Sequence, residues 1–351
     1  MTLGAQWRFL SRALGERDAR CCPRSGSGMP TAVLRWLARR RRARGFYDAL
    51  TLWLFREVYR RRRSVVALYE YLLFRRDLGY PVGRRWSSAL THAVPRLRGS
   101  LRRLALAMLA ESAAAEQPAG AGLPDGHDAV LVDGADAADF GRRSVIAIQK
   151  CQQSWRDQFA AVIRQYPDAG ICVVGNAGIL QGCGLGSEID GHGLVVRFNR
   201  FRSERTSAAD TGVRTDIWVR APDFPGAAPV EADWIIVSGP DMRYRMRHWQ
   251  NVRDPQRPDV PVLTVPLPVW RSLVAPLDAP PSAGLLVLAW LRQLLGDWTG
   301  ISAAGFGSAF VGQPYHHALP EQAPGRRHNW GAESSLLCQW QEEGLRLLGR
   351  G

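Results

Sequence analysis

Cysteine is scarce, at six in 351 residues. Cys21 and Cys22 are adjacent, and Cys151, Cys172, Cys183 and Cys338 stand alone, which excludes a disulfide framework and points to reduced thiols. Cys172 and Cys183 also lack the C-x2-C grouping and the neighbouring histidines of a structural zinc site. Long apolar runs are missing as well. The apolar stretches of the first 110 residues are broken by arginine before they reach the ~18 residues of a membrane span, so a soluble or peripheral protein is expected. The opening MTLGAQWRFLSRALGERDAR has no apolar core followed by a small-residue cleavage site, and the cytoplasm is the expected compartment. No D-x-D pair stands at the end of a strand-like run, so a divalent metal is not expected. No bound cofactor is expected either.

What is present is a globular composition, 46% hydrophobic and 22% charged, enough for one large domain or two ordinary ones. The formal net charge is +14, and it is unevenly placed. Residues 1–110 hold 24 arginines, no lysine and six acidic residues, a net +18, while the remaining 241 carry −4. Residues 111–140 have no Arg or Lys and are rich in Ala, Gly and Asp, as a linker is. The chain therefore reads as an Arg-rich helical region over 1–110, a linker over 111–140 and a chemistry-bearing domain over 141–351.

Within the basic region, residues 31–79 place Trp36, Leu37, Phe46, Leu50, Trp53, Leu54, Phe55 and Tyr59 at helical spacing. Two readings stand side by side. Arg-rich amphipathic helices dock on an anionic membrane face, and a helical subdomain packing its aromatics inward carries the same pattern. A net +18 also suits nucleic acid, but the aromatics lie on apolar helical faces and no nucleic-acid module is recognisable, which disfavours that partner.

The remainder alternates helix-like and strand-like segments: a helix at about 143–165, strands at about 171–175, 194–198, 215–220, 234–238 and 262–265, an apolar helix after Pro280 that stops near Gly296, a strand at about 299–304, and a helix from Glu333 onward. That order is an α/β fold with a doubly wound sheet and ligand loops at the carboxyl ends of its strands. The run ICVVGNAGIL (171–180) ends a buried strand in Gly175-Asn176-Ala177-Gly178, where backbone N–H groups and an amide side chain can approach a phosphate or a sugar. Gly182, Gly184 and Gly186 imitate a dinucleotide fingerprint, but the spacing is G-x-G-x-G and does not directly follow a strand, which disfavours NAD.

Residues 188–220 carry a denser pattern: EIDGHGLVVRFNRFRSERTSAADTGVRTDIWVR. Together with ICVVGNAG it resembles the large sialyl motif of the eukaryotic-type sialyltransferases, glycosyltransferase family 29. That motif runs from a Cys-bearing strand into G-N-[SA]-G, then I-D-x-H-D-x-V-x-R-x-N and D-x-G-x-[RK]-T. Here Cys172, Gly175, Asn176, Gly178, Ile189, Asp190, His192, Val195, Arg197, Asn199, Asp210, Gly212, Arg214 and Thr215 occupy those places. Residues 281–307 resemble the family's small motif, Tyr315-His316-His317 its third motif, and His328 with Glu333 its H-x4-E motif. The resemblance covers roughly 140–345 and does not reach the basic region. Three departures stand out. Leu294-Leu295-Gly296 replaces the cysteine that pairs in the family with the one in the large motif, Gly193 stands where an Asp is usual, and Ala318 and Leu319 replace aromatics.

The resemblance implies a GT-A-like variant of a Rossmann-type sandwich, with helices on both faces of the sheet, and an inverting, metal-independent transfer. The donor it implies is a CMP-activated sialic acid or related keto-sugar such as Kdo, and the acceptor a glycan hydroxyl. The absence of a membrane span, the Arg-rich composition and the missing partner for Cys172 are read separately, as pointing to a bacterial protein acting on a lipid-linked or capsular glycan at the cytoplasmic face of the inner membrane. His328 is the expected base, because imidazole titrates near neutral pH, with Glu333 fixing its orientation or closing the site. His317 is the expected donor to the departing phosphate, with His316 its substitute. Ser282, Ala283 and Gly284 open an apolar helix whose N–H groups can face an anion. Asn176, Ala177 and Asn199 are expected at phosphate or ribose, and Phe306 against cytosine. Asp190, Arg197, Asp210 and Arg214 have a structural reading, as ion pairs that pin loops. A CMP-binding homologue without turnover is the remaining alternative. Trp290 and Trp298 are expected in the core, and His92, His127 and His248 as ordinary exposed residues.

Overall fold

Arginines cluster at 39–44 and 60–63, and the helices that carry them bury their aliphatics. The computed structural model describes residues 28–80, 82–99, 101–102, 105–106, 108–109, 151–166, 170–201, 207–222, 224–226, 231–239, 260–306, 325 and 327–349. Helix α1 (Thr31–Ala43) buries Leu34, Leu37 and Ala38. Helix α2 (Ala49–Arg62) starts at Asp48, whose carboxylate accepts the Thr51 N–H, and buries Leu50, Leu54, Phe55 and Val58. Helix α3 (Val65–Asp77) is capped by the Ser64 hydroxyl and is buried around most of its circumference. Helix α4 (Arg84–Ala93) follows Gly83. Tyr47 and Phe55 pack against Phe74 at 5.5 and 5.1 Å between ring centroids, so these rings turn inward. Trp36, expected on the apolar face, departs from it and is 53% exposed.

Arg41 is fully buried in this unit. It pairs with Asp48, and its Nε donates to Thr51 Oγ1 at 2.9 Å, so one aspartate caps α2 and neutralises an interior cation. The chain divides into two units, one of 1–133, 271–280 and 326–329, the other of 134–270, 281–325 and 330–351. Within the first, Tyr47 N donates to Asp278 O at 2.9 Å and Arg327 Nη2 to the Tyr47 hydroxyl at 3.1 Å.

The second unit is built on seven parallel strands in the order β5-β4-β3-β2-β1-β6-β7. They are β1 (Ile171–Val174), β2 (Leu194–Phe198), β3 (Ile217–Arg220), β4 (Trp234–Val237), β5 (Val262–Thr264), β6 (Ile301–Ala304) and β7 (Arg346–Leu348). Runs such as ICVV and LVVRF are buried along their whole length, as strands of a parallel sheet are. The chain steps outward from β1 to β5, then crosses back to place β6 on the other side of β1. That reversal is a switch point, the place where an open parallel sheet leaves a crevice beyond its carboxyl ends.

The helices of this unit are α5 (Gln152–Ile163), α6 (Gly186–Asp190), α7 (Ala208–Thr211), α8 (Leu267–Leu277, which continues into the first unit), α9 (Ala283–Leu295) and α10 (Trp330–Glu342). Residues 143–150 of the first expected helix, and the expected linker at 111–140, lie outside the described residues. The strands expected at 171–175, 215–220, 234–238, 262–265 and 299–304 are all present and shorter, because flanking residues turn into loops. Trp290 and Trp298 are buried, at 2% exposure each, as core residues should be. Among the described residues no helix is long and apolar enough to cross a membrane.

Removing Arg41 strands the Asp48 carboxylate in the interior. Arg41→Met is expected to lower the unfolding free energy by about 3–5 kcal/mol, read from urea denaturation. Arg40→Met, at an exposed neighbour, should stay within about 0.5 kcal/mol of the parent.

Candidate functional site

The carboxyl ends of β1 and β6, where the switch point of the sheet lies, are shaped by missing side chains. Gly175 N donates to Ala304 O at 2.8 Å, and a Cβ on Gly175 would stand 2.5 Å from Gly305 O and 3.2 Å from the Phe306 ring. A Cβ on Gly284, in the first turn of α9, would stand 2.4 Å from the same ring. Phe306 therefore lies between the end of β1 and the start of α9, in a space that only glycine leaves open.

Helix α9 begins at Ser282, whose hydroxyl accepts the Leu285 N–H at 3.4 Å. The expectation that Ser282 offers its own N–H to an anion is corrected here, because that N–H donates to Glu333 Oε1 at 2.8 Å. The N–H groups of Ala283 and Gly284 lie in the first turn, where a helix supplies no carbonyl to them.

Two asparagines stand at the carboxyl ends of adjacent strands. Asn176 Nδ2 donates to Phe198 O at 3.0 Å, and its buried Oδ1 has no hydrogen-bond partner among the described residues. Asn199 has a left-handed backbone, φ 45°, which asparagine tolerates better than most residues. Its Oδ1 accepts the Ala221 N–H at 2.8 Å and its carbonyl accepts Trp218 Nε1 at 2.9 Å. Asn199 thus fastens the β2 end to the β3 end, with its amide oxygen already engaged. Ala177 is half-buried in extended backbone immediately before the short 3-10 turn Gly178–Leu180.

The charged residues of the long motif hold backbone. Asp190 accepts Val213 N at 2.8 Å and Arg214 N at 3.0 Å. Arg214 donates to His192 O and Gly193 O, both at 2.6 Å. Arg197, 1% exposed, donates to Arg214 O at 2.7 Å and Thr211 O at 2.6 Å, with Asp190 3.6 Å away. Asp210 accepts Gly184 N at 2.9 Å, and the N–H groups of Gly182 and Gly184 hold its carboxyl below its ordinary value. These four side chains pin loops, the structural one of their two readings. Sequence reasoning placed His192 in the motif without a role and passed over Asp216, and both belong to this frame. Asp216 takes the Val195 N–H at 2.7 Å and pairs with Arg214 at 3.0 Å, and His192 spans Glu188 O and Ser302 Oγ at 2.8 and 3.0 Å. Their signal was their place beside the motif charges, at the opposite end of the strands from the crevice.

Cys172 is buried in β1 among Val174, Leu180, Ile189 and Val195, and burial pushes its thiol up to about 12. It is an inert core thiol at neutral pH. His328 Nδ1 lies 2.9 Å from Pro280 O, within the first unit. A carbonyl only accepts, so the neutral ring carries its proton on Nδ1 and the lone pair on Nε2. Glu333, in α10, is 4% exposed. Desolvation pushes its carboxyl up to about 7, and the Ser282 hydrogen bonds oppose this. His316 and His317 lie outside the described residues, as do His127 and His248, while His92 is exposed as expected.

A model of glycosyltransferase family 29 (sialyltransferase) matches residues 160–227. A rice protein (Oryza sativa subsp. indica), sialyltransferase-like protein 2, is 44% identical over 62 residues, which are 18% of this chain and 15% of that relative's length. Crystal structures of a mammalian sialyltransferase, one in complex with Gal-beta-1-3GalNAc-ortho-nitrophenol, align over 64% of this chain and 84% of theirs. The TM-score is 0.42 for both, at 16% and 17% identity. The segment matched by the family model runs from the last turn of α5 through β3, and is sialyltransferase-like. It contains Asn176, Ala177, Asn199 and the Asp190–Arg197–Arg214 frame, and it excludes Ser282, Phe306, His328 and Glu333.

The raised Glu333 carboxyl has a consequence for stability. Below about pH 4.5 the group is protonated both folded and unfolded. Between about 4.5 and about 7 the unfolded chain ionises while the folded one resists, so stability falls across that window, by about 3 kcal/mol in all. Glu333→Gln keeps an acceptor for Ser282 N–H and does not titrate. Melting temperatures from pH 4 to pH 8 should show the variant gaining on the parent as pH rises; parallel curves would refute the assignment.

Proposed function

We propose that this chain is an inverting, metal-independent glycosyltransferase. It moves a sialic acid, or a related keto-sugar such as Kdo, from its CMP ester to a hydroxyl of a glycan acceptor. The observation that carries this reading is the sialyltransferase-like segment, whose Gly175-Asn176-Ala177 turn stands at the carboxyl end of β1, at the switch point of a parallel sheet. Asn176 and Asn199 hold phosphate or ribose, and Asn176 Oδ1, buried and without a partner among the described residues, is a group that a nucleotide hydroxyl would satisfy. Phe306 lines the cytosine side of the crevice. Ala283 and Gly284 present first-turn N–H groups to the phosphate.

In the transfer, the acceptor oxygen forms a bond to the anomeric carbon of the sugar while the bond from that carbon to the phosphate oxygen breaks, and CMP leaves with the electron pair. His328 Nε2 takes the acceptor proton, in the tautomer that the Nδ1 contact with Pro280 O selects. His317, or His316 in its place, donates to the phosphate as charge builds there. Glu333 acts as a positioning residue, holding the start of α9 through Ser282 N. The wider setting belongs to the same proposal: a bacterial protein at the cytoplasmic face of the inner membrane, with a lipid-linked or capsular glycan acceptor and its basic helices against the lipid. The Arg-rich first unit and the inert, buried Cys172 support it.

Thermal unfolding of the full chain with CMP, UDP, GDP and NADH tests the donor class. At about 100 times its dissociation constant CMP should add about 2.7 kcal/mol, and the others little. With CMP-sugars and a glycan acceptor, His328→Ala should lose roughly 10²–10⁴ in turnover and keep the CMP effect. CMP stabilisation without turnover in the parent would leave a non-catalytic homologue. Stabilisation by NADH alone, or by none of the four, would sink the cytidine pocket.

A further inference from the structure

Among the described residues 28–99, every acidic side chain is paired. Glu70 pairs with Arg35 and Arg39, Asp48 with Arg41, Asp77 with Arg42, and Glu57 with Arg60 and Arg61, the Arg60 hydrogen bond foremost in drawing the Glu57 carboxyl down to about 2. Four arginines are treated differently: Arg63, Arg75, Arg85 and Arg271 have no carboxylate partner among the described residues, and each lies over an aromatic ring.

Arg63 stands 5.8 Å from the centroid of Tyr59 and Arg85 5.6 Å from that of Trp86. Arg75 stands 5.9 Å from Tyr71 and 5.4 Å from Tyr80, and Arg271 stands 4.5 Å from Tyr80. The rings in turn touch one another. Tyr59 stacks on Tyr71 at 6.2 Å, and Trp86 sets its edge to both, at 6.2 and 5.4 Å. The result is one connected cluster, joined through the buried Tyr71, in which four guanidinium groups lie against aromatic faces. Gly79 makes the last member possible, since a Cβ there would stand 2.5 Å from Arg271 Cβ. Arg63, Arg85, Arg271 and Tyr80 are exposed.

A guanidinium stacked on a ring keeps its N–H edges outward, already ordered for phosphate oxygens. We infer that this cluster is a docking surface for the phosphate headgroups of an anionic phospholipid bilayer. Nucleic acid also offers phosphates, but it gains its grip on single strands by stacking bases on ring faces, and here Arg75 and Arg271 both lie against Tyr80 while Tyr71 and Arg63 both lie against Tyr59. Tyrosine and tryptophan beside unpaired arginines are the side chains that favour the interface between headgroups and water. The inference gives a place on the molecule to the membrane part of the function proposed above, and it does not depend on the transfer chemistry.

Co-sedimentation of the full chain with vesicles tests it, using phosphatidylcholine mixed with phosphatidylglycerol against phosphatidylcholine alone. Each arginine near an anionic surface contributes about fivefold to partitioning at low salt. Arg63→Gln with Arg85→Gln should therefore weaken binding to the mixed vesicles about thirtyfold. Arg40→Gln with Arg56→Gln removes the same charge from exposed positions outside the cluster and should cost less than about threefold. Melting temperatures within a few degrees of the parent, and unchanged stabilisation by CMP, would show that neither fold nor nucleotide site was lost. Equal losses in the two double variants would overturn the inference in favour of bulk charge. Absence of binding to mixed vesicles would overturn it outright, as would displacement from them by a single-stranded oligonucleotide at equal phosphate concentration.

Discussion

A Cβ on Gly175 would stand 2.5 Å from Gly305 O, and that close approach fixes the crevice on which the candidate site depends. The two strands flanking the switch point, β1 and β6, run in register from Ile171 beside Ile301 to Val174 beside Ala304. Their ends stay close, since Gly175 N still donates to Ala304 O at 2.8 Å, and side chains at the first positions beyond them would force the sheet open. With hydrogen atoms there instead, Phe306 turns onto Gly284 and brings an aromatic face to the beginning of α9. Strand end, ring and helix start thus belong to one packing problem with one solution.

The long motif was legible in the sequence because most of it serves the fold. Asp190, Arg197 and Arg214 bind backbone N–H and carbonyl groups from the segments around β2 and β3, so each needs its charge, its length and its spacing. Chemistry-bearing groups are fewer in that stretch, Asn176 and Asn199 above all, and one oxygen of Asn199 is already taken by Ala221 N. A dense pattern therefore reads out a scaffold first and a ligand site second. The strands were legible for a related reason: β-branched runs buried along their length have no other stable home.

Other features escaped for local reasons. Helix α8 carries Pro268 near its start and Pro276 near its end, so LPVWRSLVAPL looks like a loop although proline is tolerated in a first turn and near a terminus. Strand β7 is three residues at a sheet edge, too short for a periodic signal. Trp36 shares its spacing with buried neighbours, and a helical period cannot say which residues at the border of an apolar stripe face inward. The separation of paired from ring-stacked arginines was likewise invisible, since pairing with Glu70 or Asp77 is settled by helices some 30 residues apart in sequence.

Glu333 connects the small motif and the H-x4-E motif in a way the sequence did not foretell. Its carboxylate is buried, and desolvation would drive it toward the neutral form more strongly still without the hydrogen bonds from Ser282. By accepting the Ser282 N–H, Glu333 ties the start of α9 to α10, but it also removes that donor from any anion at the helix terminus. Ser282 Oγ, in accepting the Leu285 N–H, removes another. Only the Ala283 and Gly284 N–H groups remain in that turn for a phosphate, and two neutral donors stabilise a developing negative charge less than a cationic imidazole does. Within the proposed transfer, most of the stabilisation of departing CMP then falls to a side chain beyond α9, which is the role the third-motif histidines, His317 or His316, are suited to fill.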